Sequence, residues 1–221
     1  MFTWVNQNKI YMLKDIRTNY QKFELTEQLV NKDPIQQLIE WMNDAIAGQE
    51  PDSNAMVLST IDTAGFPDSR VVLLKELTPD GLVFFTNYNS RKGQQIASEG
   101  HVSVLFFWSA LERQVRIKGI AEKISEEDSE LYFKSRPLES QLGAWASPQS
   151  EVIENRQVLH DKYKHYEQYF ESHEITKPPY WGGFLIRPQN FEFWQGRSNR
   201  LHDRIEYCLS DQAWIIHRLA P

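Results

Sequence analysis

The chain is poor in the residues that staple, anchor or chelate. Cys208 is its single cysteine among 221 residues, which excludes an internal disulfide and any multi-cysteine metal site and fits a reducing cytoplasm. No run of 18 uninterrupted apolar residues occurs, so no membrane-spanning helix is expected. The first residues, MFTWVNQNKIYMLK, interrupt their apolar positions with Asn, Gln and Lys, and no signal-peptide core is expected there. Positive charge is also short: 24 Lys and Arg face 30 Asp and Glu, a formal net charge of -6. A general nucleic-acid binder usually carries a basic excess instead. Gly-rich phosphate loops, a dinucleotide fingerprint, HExxH and a nucleophile elbow are all missing. The 6 histidines are scattered without metal-ligand spacing, so no metal is expected.

What remains is a globular composition, 41% hydrophobic and 24% charged, long enough for one substantial domain. Residues 1–32 lack periodicity and read as a flexible amino-terminal arm, with a single domain over 33–221. Asp33-Pro34 is an N-cap followed by a first-turn proline. Ile35, Leu38, Ile39, Met42 and Ile46 keep helical spacing as far as Gly48. From Ala55 the period changes to short β-rich runs: AMVLSTID, SRVVLLKEL, GLVFFTN, HVSVLFFW and RQVRIKGIAEKI. Turn residues separate them. Helices are expected after Ser90, after Ser125 and from Ser147-Pro148 to about Phe170. The chain then returns to strands at WGGFLIRP and NFEFWQG and in a hairpin of RIEYCL with AWIIHRL. Strands joined by short turns pair antiparallel. The expected fold is mainly β (α+β), a closed or half-closed antiparallel barrel with peripheral helices.

Four stretches concentrate chemistry. Arg70 and Lys75 bracket an apolar strand. On a regular pleat they point to opposite faces, so alone they read as solvated strand ends unless the strand bulges or stops between them. Ser90-Arg91-Lys92 opens a helix, gathering amide donors, a hydroxyl and two cations where an anion binds. Tyr132 and Arg136 lie four apart on one helix face, with Ser140 beyond Pro137. They read either as a phosphate clamp or as Arg136 neutralising the helix end. WQGRSNRLHDR then packs Arg197, Arg200, His202 and Arg204 behind a run of aromatics.

RVVLLK, FFTNYNSRKGQQI, LERQVRIKG, YFKSRPLESQLGAWASPQS and FWQGRSNRLHDR with the terminal WIIHRLAP together closely resemble the pyridoxine/pyridoxamine 5′-phosphate oxidases. The likeness runs in order from about Arg17 to the carboxyl terminus. It implies an FMN-binding split β-barrel and a cytoplasmic homodimer with flavin at the subunit interface. The implied reaction oxidises pyridoxine 5′-phosphate or pyridoxamine 5′-phosphate to pyridoxal 5′-phosphate, with O2 consumed and H2O2 released. Neither nucleic acid nor membrane is an implied partner.

Residue by residue, the resemblance implies a flavin site built from Arg70, Val71, Val72, Leu73, Leu74 and Lys75. Phe85, Thr86, Arg91, Lys92 and Gln114 would continue it, with Gln149, Ser150, Trp194 and Arg204 approaching from the partner subunit. Lys75, Tyr132, Arg136 and Ser140 would hold the substrate phosphate. Arg200, Leu201 and His202 would face the substrate ring, Arg200 and His202 as catalytic residues. Asp52 and the amino-terminal Arg17 and Tyr20 would also approach the substrate. Phe85 departs from the tyrosine frequent at its position in the family. Related split barrels without oxidase activity have no need of the Tyr132, Arg136 and Ser140 clamp or of the Arg200-Leu201-His202 segment. An oligonucleotide-binding small barrel fits the acidic total poorly.

Overall fold

The computed structural model describes residues 18–221. Helix α1 (Pro34–Ala47) starts where Asp33 accepts a hydrogen bond from the Ile35 amide at 2.9 Å. Its apolar stripe, Ile35, Leu38, Trp41, Met42 and Ala45, is buried and belongs to the same core cluster as the inward side chains of the sheet. Among the described residues nine strands follow in a single antiparallel sheet: β1 (Ala55–Ile61), β2 (Pro67–Leu73), β3 (Glu76–Thr78), β4 (Gly81–Asn87), β5 (His101–Trp108), β6 (Arg113–Lys123), β7 (Trp181–Gln195), β8 (Asp203–Ser210) and β9 (Ala213–Arg218). Their order is β2-β1-β5-β6-β7-β4-β3, with the β8–β9 hairpin attached to β7. The outermost strands of that row, β2 and β3, are consecutive in the chain, so the sheet curls back on itself at Leu74-Lys75. Inward residues of several strands, among them Leu58, Phe84, Phe106, Val115, Ile117 and Phe193, are fully buried. Each contributes roughly 1.5–3 kcal/mol.

Two features of the sheet matter for the site. The run SRVVLLKEL, read as one strand, is broken at a corner: the Leu74 amide donates to Asn54 O and the Lys75 amide to Val83 O, both at 2.9 Å. β7, read as two strands, is one strand with a register shift opposite Lys118/Gly119. Pro188 and Gln189 fall at that shift, where a missing N–H is tolerated. The bend lets β7 pair with β4 through Trp181–Ile186 and with β8 through Asn190–Gln195.

The helices also differ from expectation in one place. α2 (Arg91–Ser98) and α3 (Glu126–Ser135) begin at the Ser90 and Ser125 caps as anticipated. Pro137, however, does more than stop α3. It stands at the start of α4 (Leu138–Ala146), a helix the sequence reading missed. Residues 147–156 are then irregular, and α5 begins only at Gln157, ending at Phe170.

The loose arm expected through residue 32 does not extend over 18–32. Glu112 Oε2 accepts from the amides of Gln21 and Lys22 at 2.9 and 3.1 Å, and Asp203 Oδ2 accepts from that of Leu25 at 3.1 Å. Glu24 pairs with Arg197 and Glu27 with Arg218. Leu25 itself is buried in the core cluster. This strap has no periodicity to read because side-chain carboxylates far away in sequence hold it. Arg17 lies outside the described residues.

Candidate active site

The corner at Leu74-Lys75 resolves the geometric objection to Arg70 and Lys75. Because β2 ends at Leu73, Lys75 turns off the pleat, and both residues line one cavity of about 600 Å³. Val71, Val72 and Leu73 line it too. Among the described residues β2 pairs only with β1, so its other row of backbone N–H and C=O groups has no strand partner there. Leu74 is the exception to the expected stretch. Its side chain is buried, and its amide and carbonyl are both taken by Asn54.

The opposite walls come from β4, α2, α3 and α4. Thr86 and Lys92 meet at 3.2 Å, and Lys92 Nζ donates to Gln149 Oε1 at 2.7 Å. Gln149, expected from the partner subunit, therefore joins the cavity of its own chain through the irregular segment after α4. Ser150 follows it, exposed, in a left-handed conformation at φ 74°. Gly93 allows α2 to sit this close: a Cβ there would lie 2.3 Å from the Tyr88 carbonyl oxygen. Phe85 stacks on Tyr132 with ring centroids 3.7 Å apart, and both rings run nearly parallel to Trp181. Tyr132, Arg136 and Ser140 all line the cavity, Ser140 from the first turns of α4.

Arg136 is the least satisfied of these groups. Its guanidinium lies 4.6 Å over Trp181, and its Nη1 is buried with no hydrogen-bond partner among the described residues. Such an atom costs about 1–3 kcal/mol while it lacks an acceptor, and a phosphate oxygen would supply one. Trp181 was missed by the sequence reading. Nothing marks it beyond an aromatic at the start of a strand.

Burial and the neighbouring Arg70 charge push the Lys92 ammonium down to about 8. Between that value and the usual one near 10.5, the unfolded chain binds a proton that the folded chain does not. Stability of the ligand-free protein should therefore rise with pH across that window. An anion beside Lys92 reverses the shift. Calorimetric titration with FMN at pH 9, in buffers of different ionisation heat, should show proton uptake on binding. Heat independent of the buffer would count against Lys92 as a phosphate ligand.

Arg91 does not line this cavity. It borders an adjoining one of about 540 Å³, beside Asp68 and Gln95, behind Arg70.

A second cluster lies at the other end of β7. Trp194, Tyr20 and His202 pack together, with ring centroids 4.7–5.9 Å apart. Gly196 makes room, since a Cβ there would come within 2.6 Å of the Tyr20 ring. The Arg197 amide donates to His202 Nδ1 at 3.1 Å, which places the imidazole proton on Nε2. Burial first, then the Arg200 charge, holds His202 below the ordinary histidine range. Asn199 and Arg200 are both left-handed, at φ 56° and 63°, a strain of roughly 1–3 kcal/mol for such a residue. This turn leaves Arg200 and Leu201 exposed. Arg204 donates to Glu192 at 2.9 Å and to Ala220 O at 2.6 Å. Gln114 sits opposite Trp194 in the β6–β7 register. None of these residues lines the 600 Å³ cavity of its own chain. Asp52 stands apart from both clusters, exposed in the turn before β1.

A curled antiparallel sheet with a polycationic, aromatic-walled cavity defines the class: the chain is a split-barrel flavin oxidoreductase. Residues 42–170 match the family model described as pyridoxamine 5′-phosphate oxidase. Residues 181–221 match the pyridoxine 5′-phosphate oxidase C-terminal dimerisation region. The chain belongs to the pyridoxamine 5′-phosphate oxidase family. It is 48% identical over 215 residues to the pyridoxine/pyridoxamine 5′-phosphate oxidase of Polaromonas sp. strain JS666, covering 97% of this chain and 99% of that one. Among solved structures it resembles PhzG from Burkholderia lata 383, seen in complex with tetrahydrophenazine-1-carboxylic acid. That match has TM-score 0.83 at 26% identity, over 90% of this chain and 98% of the other. An FMN-binding protein from Nostoc punctiforme shares the fold, with TM-score 0.67 at 18% identity over 85% and 98% of the two chains.

Proposed function

We propose that this enzyme oxidises pyridoxine 5′-phosphate and pyridoxamine 5′-phosphate to pyridoxal 5′-phosphate. Dioxygen is the electron acceptor. The alcohol and O2 yield the aldehyde and H2O2; the amine, O2 and water yield the aldehyde, NH3 and H2O2. The observation that carries the substrate assignment is the buried Arg136 Nη1, without a hydrogen-bond partner among the described residues, on a side chain that lines the cavity beside Tyr132, Ser140 and Lys75. A phosphate monoester brings about two negative charges at neutral pH, and this group of side chains offers only donors or hydroxyls to meet them.

The working unit is a homodimer. Arg70, Thr86, Lys92 and Gln149, which line one protomer's cavity, would hold the ribityl phosphate of FMN, with Arg91 adding charge from the adjoining cavity. The β2 edge from Val71 to Leu73, which lines the cavity, would offer its backbone groups to the flavin. Gln114, Trp194 and Arg204 close the site from the other protomer, which also brings Arg200, Leu201 and His202 over the substrate ring. Tyr20 and the strap exclude water above them. Held there, FMN would supply the two-electron redox chemistry that couples oxidation at the substrate C4′ carbon to reduction of dioxygen.

The protein's share is alignment. Lys75 and the Arg136 clamp fix the substrate by its phosphate. Trp181 and Phe133 beneath Arg136 keep that head in place when the phosphate leaves. His202 has its Nδ1 occupied by the Arg197 amide, so it meets the substrate as a neutral Nε2–H donor and does not act as the base. Arg200 orients the ring from its strained turn.

An aerobic peroxide assay on the flavin-loaded protein tests this reading. Peroxide should appear with both phosphorylated vitamers and not with unphosphorylated pyridoxamine at the same concentration. Flavin-loaded protein that releases none with either phosphate ester overturns it.

A further inference from the structure

We infer that Thr60 and Gln95, buried behind the cavity wall, are positioning residues that aim the Arg70 guanidinium at the flavin phosphate. The inference rests on the flavin site proposed above but concerns residues outside its lining.

Arg70 is held by contacts from three elements. Nη1 donates to Thr60 Oγ1 at 2.6 Å and to Leu58 O at 3.2 Å. Nη2 donates to Gln95 Oε1 at 3.3 Å and pairs with Asp68 Oδ2 at 2.8 Å. A guanidinium has five N–H donors. The four terminal ones are thus occupied from β1, β2 and α2, and Nε–H is the one left for a ligand among the described residues.

The supporting groups are themselves locked. The Thr60 hydroxyl accepts from Arg70 and donates to Gln95 Oε1 at 2.6 Å. Gln95 Nε2 donates to Asp68 Oδ2 at 3.2 Å, which fixes the way its amide faces. Thr60 is 1% and Gln95 7% exposed, so water cannot replace either partner without rearrangement. A cation whose head is immobilised before binding loses little freedom when an anion arrives. The same head on a free side chain would keep its charge and lose its aim.

The arrangement separates positioning from bulk structure. Arg70 reads the phosphate, which FMN has and riboflavin lacks, whereas a general packing defect would weaken both flavins alike. Apoprotein is titrated with FMN and with riboflavin, following flavin fluorescence. Thr60→Val, which removes the hydroxyl at nearly constant volume, should weaken FMN about tenfold and leave riboflavin within twofold. Thr60→Ser, which keeps the hydroxyl, should match the parent for both. Gln95→Met gives a second reading of the same ratio if Thr60→Val fails to fold. Arg70→Ala should reduce the preference for FMN at least as much as Thr60→Val does, with Lys92 and Thr86 retaining the rest. A reduced preference in Arg70→Ala with an unchanged ratio in Thr60→Val and Gln95→Met overturns the positioning role and leaves the flavin site standing. An unchanged ratio in Arg70→Ala overturns both.

Discussion

Arg136→Met should lower kcat/KM for pyridoxamine 5′-phosphate about 100-fold, mostly through KM, without lowering the stability of the ligand-free protein. Charge-assisted hydrogen bonds to a phosphate are each worth roughly 1.5–3 kcal/mol, and Arg136 brings a buried donor that has no other acceptor among the described residues. The stability half of the expectation has the same origin. Methionine keeps the apolar stem against Trp181 and Phe133 and removes a desolvated cation. The forfeited cation–π contact, about 0.5–2 kcal/mol, is offset by the relief of the orphaned Nη1. Bound flavin should be unchanged, because Arg70 and Lys92 hold a different group. Steady-state kinetics and thermal denaturation of the apoprotein check both halves. A variant with normal KM would remove Arg136 from the substrate site.

Arg200→Ala should reduce kcat about 100-fold, a loss typical of a group that positions or polarises the reacting atoms, while the protein still purifies with its flavin. Stability should hardly move, because Arg and Ala bear a similar cost at φ 63°. A second readout distinguishes this from simple disorder of the turn. The Arg200 charge helps hold His202 below its ordinary range, so its removal should move the acid limb of the kcat profile to higher pH. Flavin loss, or an unshifted limb with unchanged kcat, would count against Arg200 at the reacting end.

Much of the frame was legible because it is written locally. Asp33, Ser90 and Ser125 cap the helices at which they were placed, and most of the alternating runs are strands. The errors share a cause: punctuation residues carry more than one meaning. Pro188 suggested a strand break where it marks a shift in a continuous β7, and Pro137 suggested an end where it also marks a beginning. The corner at Leu74-Lys75 hides within an apolar run, since its evidence is two backbone bonds to Asn54 and Val83.

The site divides in the same way. Its cations at positions 70, 75, 92 and 136 announce themselves in an acidic chain, and the structure brings all four to one cavity. Which subunit supplies Gln149 was not legible, because that depends on the path of residues 147–156. Thr60 and Gln95 gave no sign at all. A threonine in a strand and a glutamine in a helix look ordinary until folding brings them to Arg70.

The length of β7 has a genetic consequence. From Trp181 to Trp194 is 13 residue steps, a contour of about 43 Å at ~3.3 Å per step, and Trp181 lines the 600 Å³ cavity of its own chain whereas Trp194 does not. On the dimeric arrangement proposed here, every catalytic pocket borrows one wall from each polypeptide. Two alleles damaged at opposite ends of this strand would then complement each other, since some mixed pairs assemble a pocket from two sound halves.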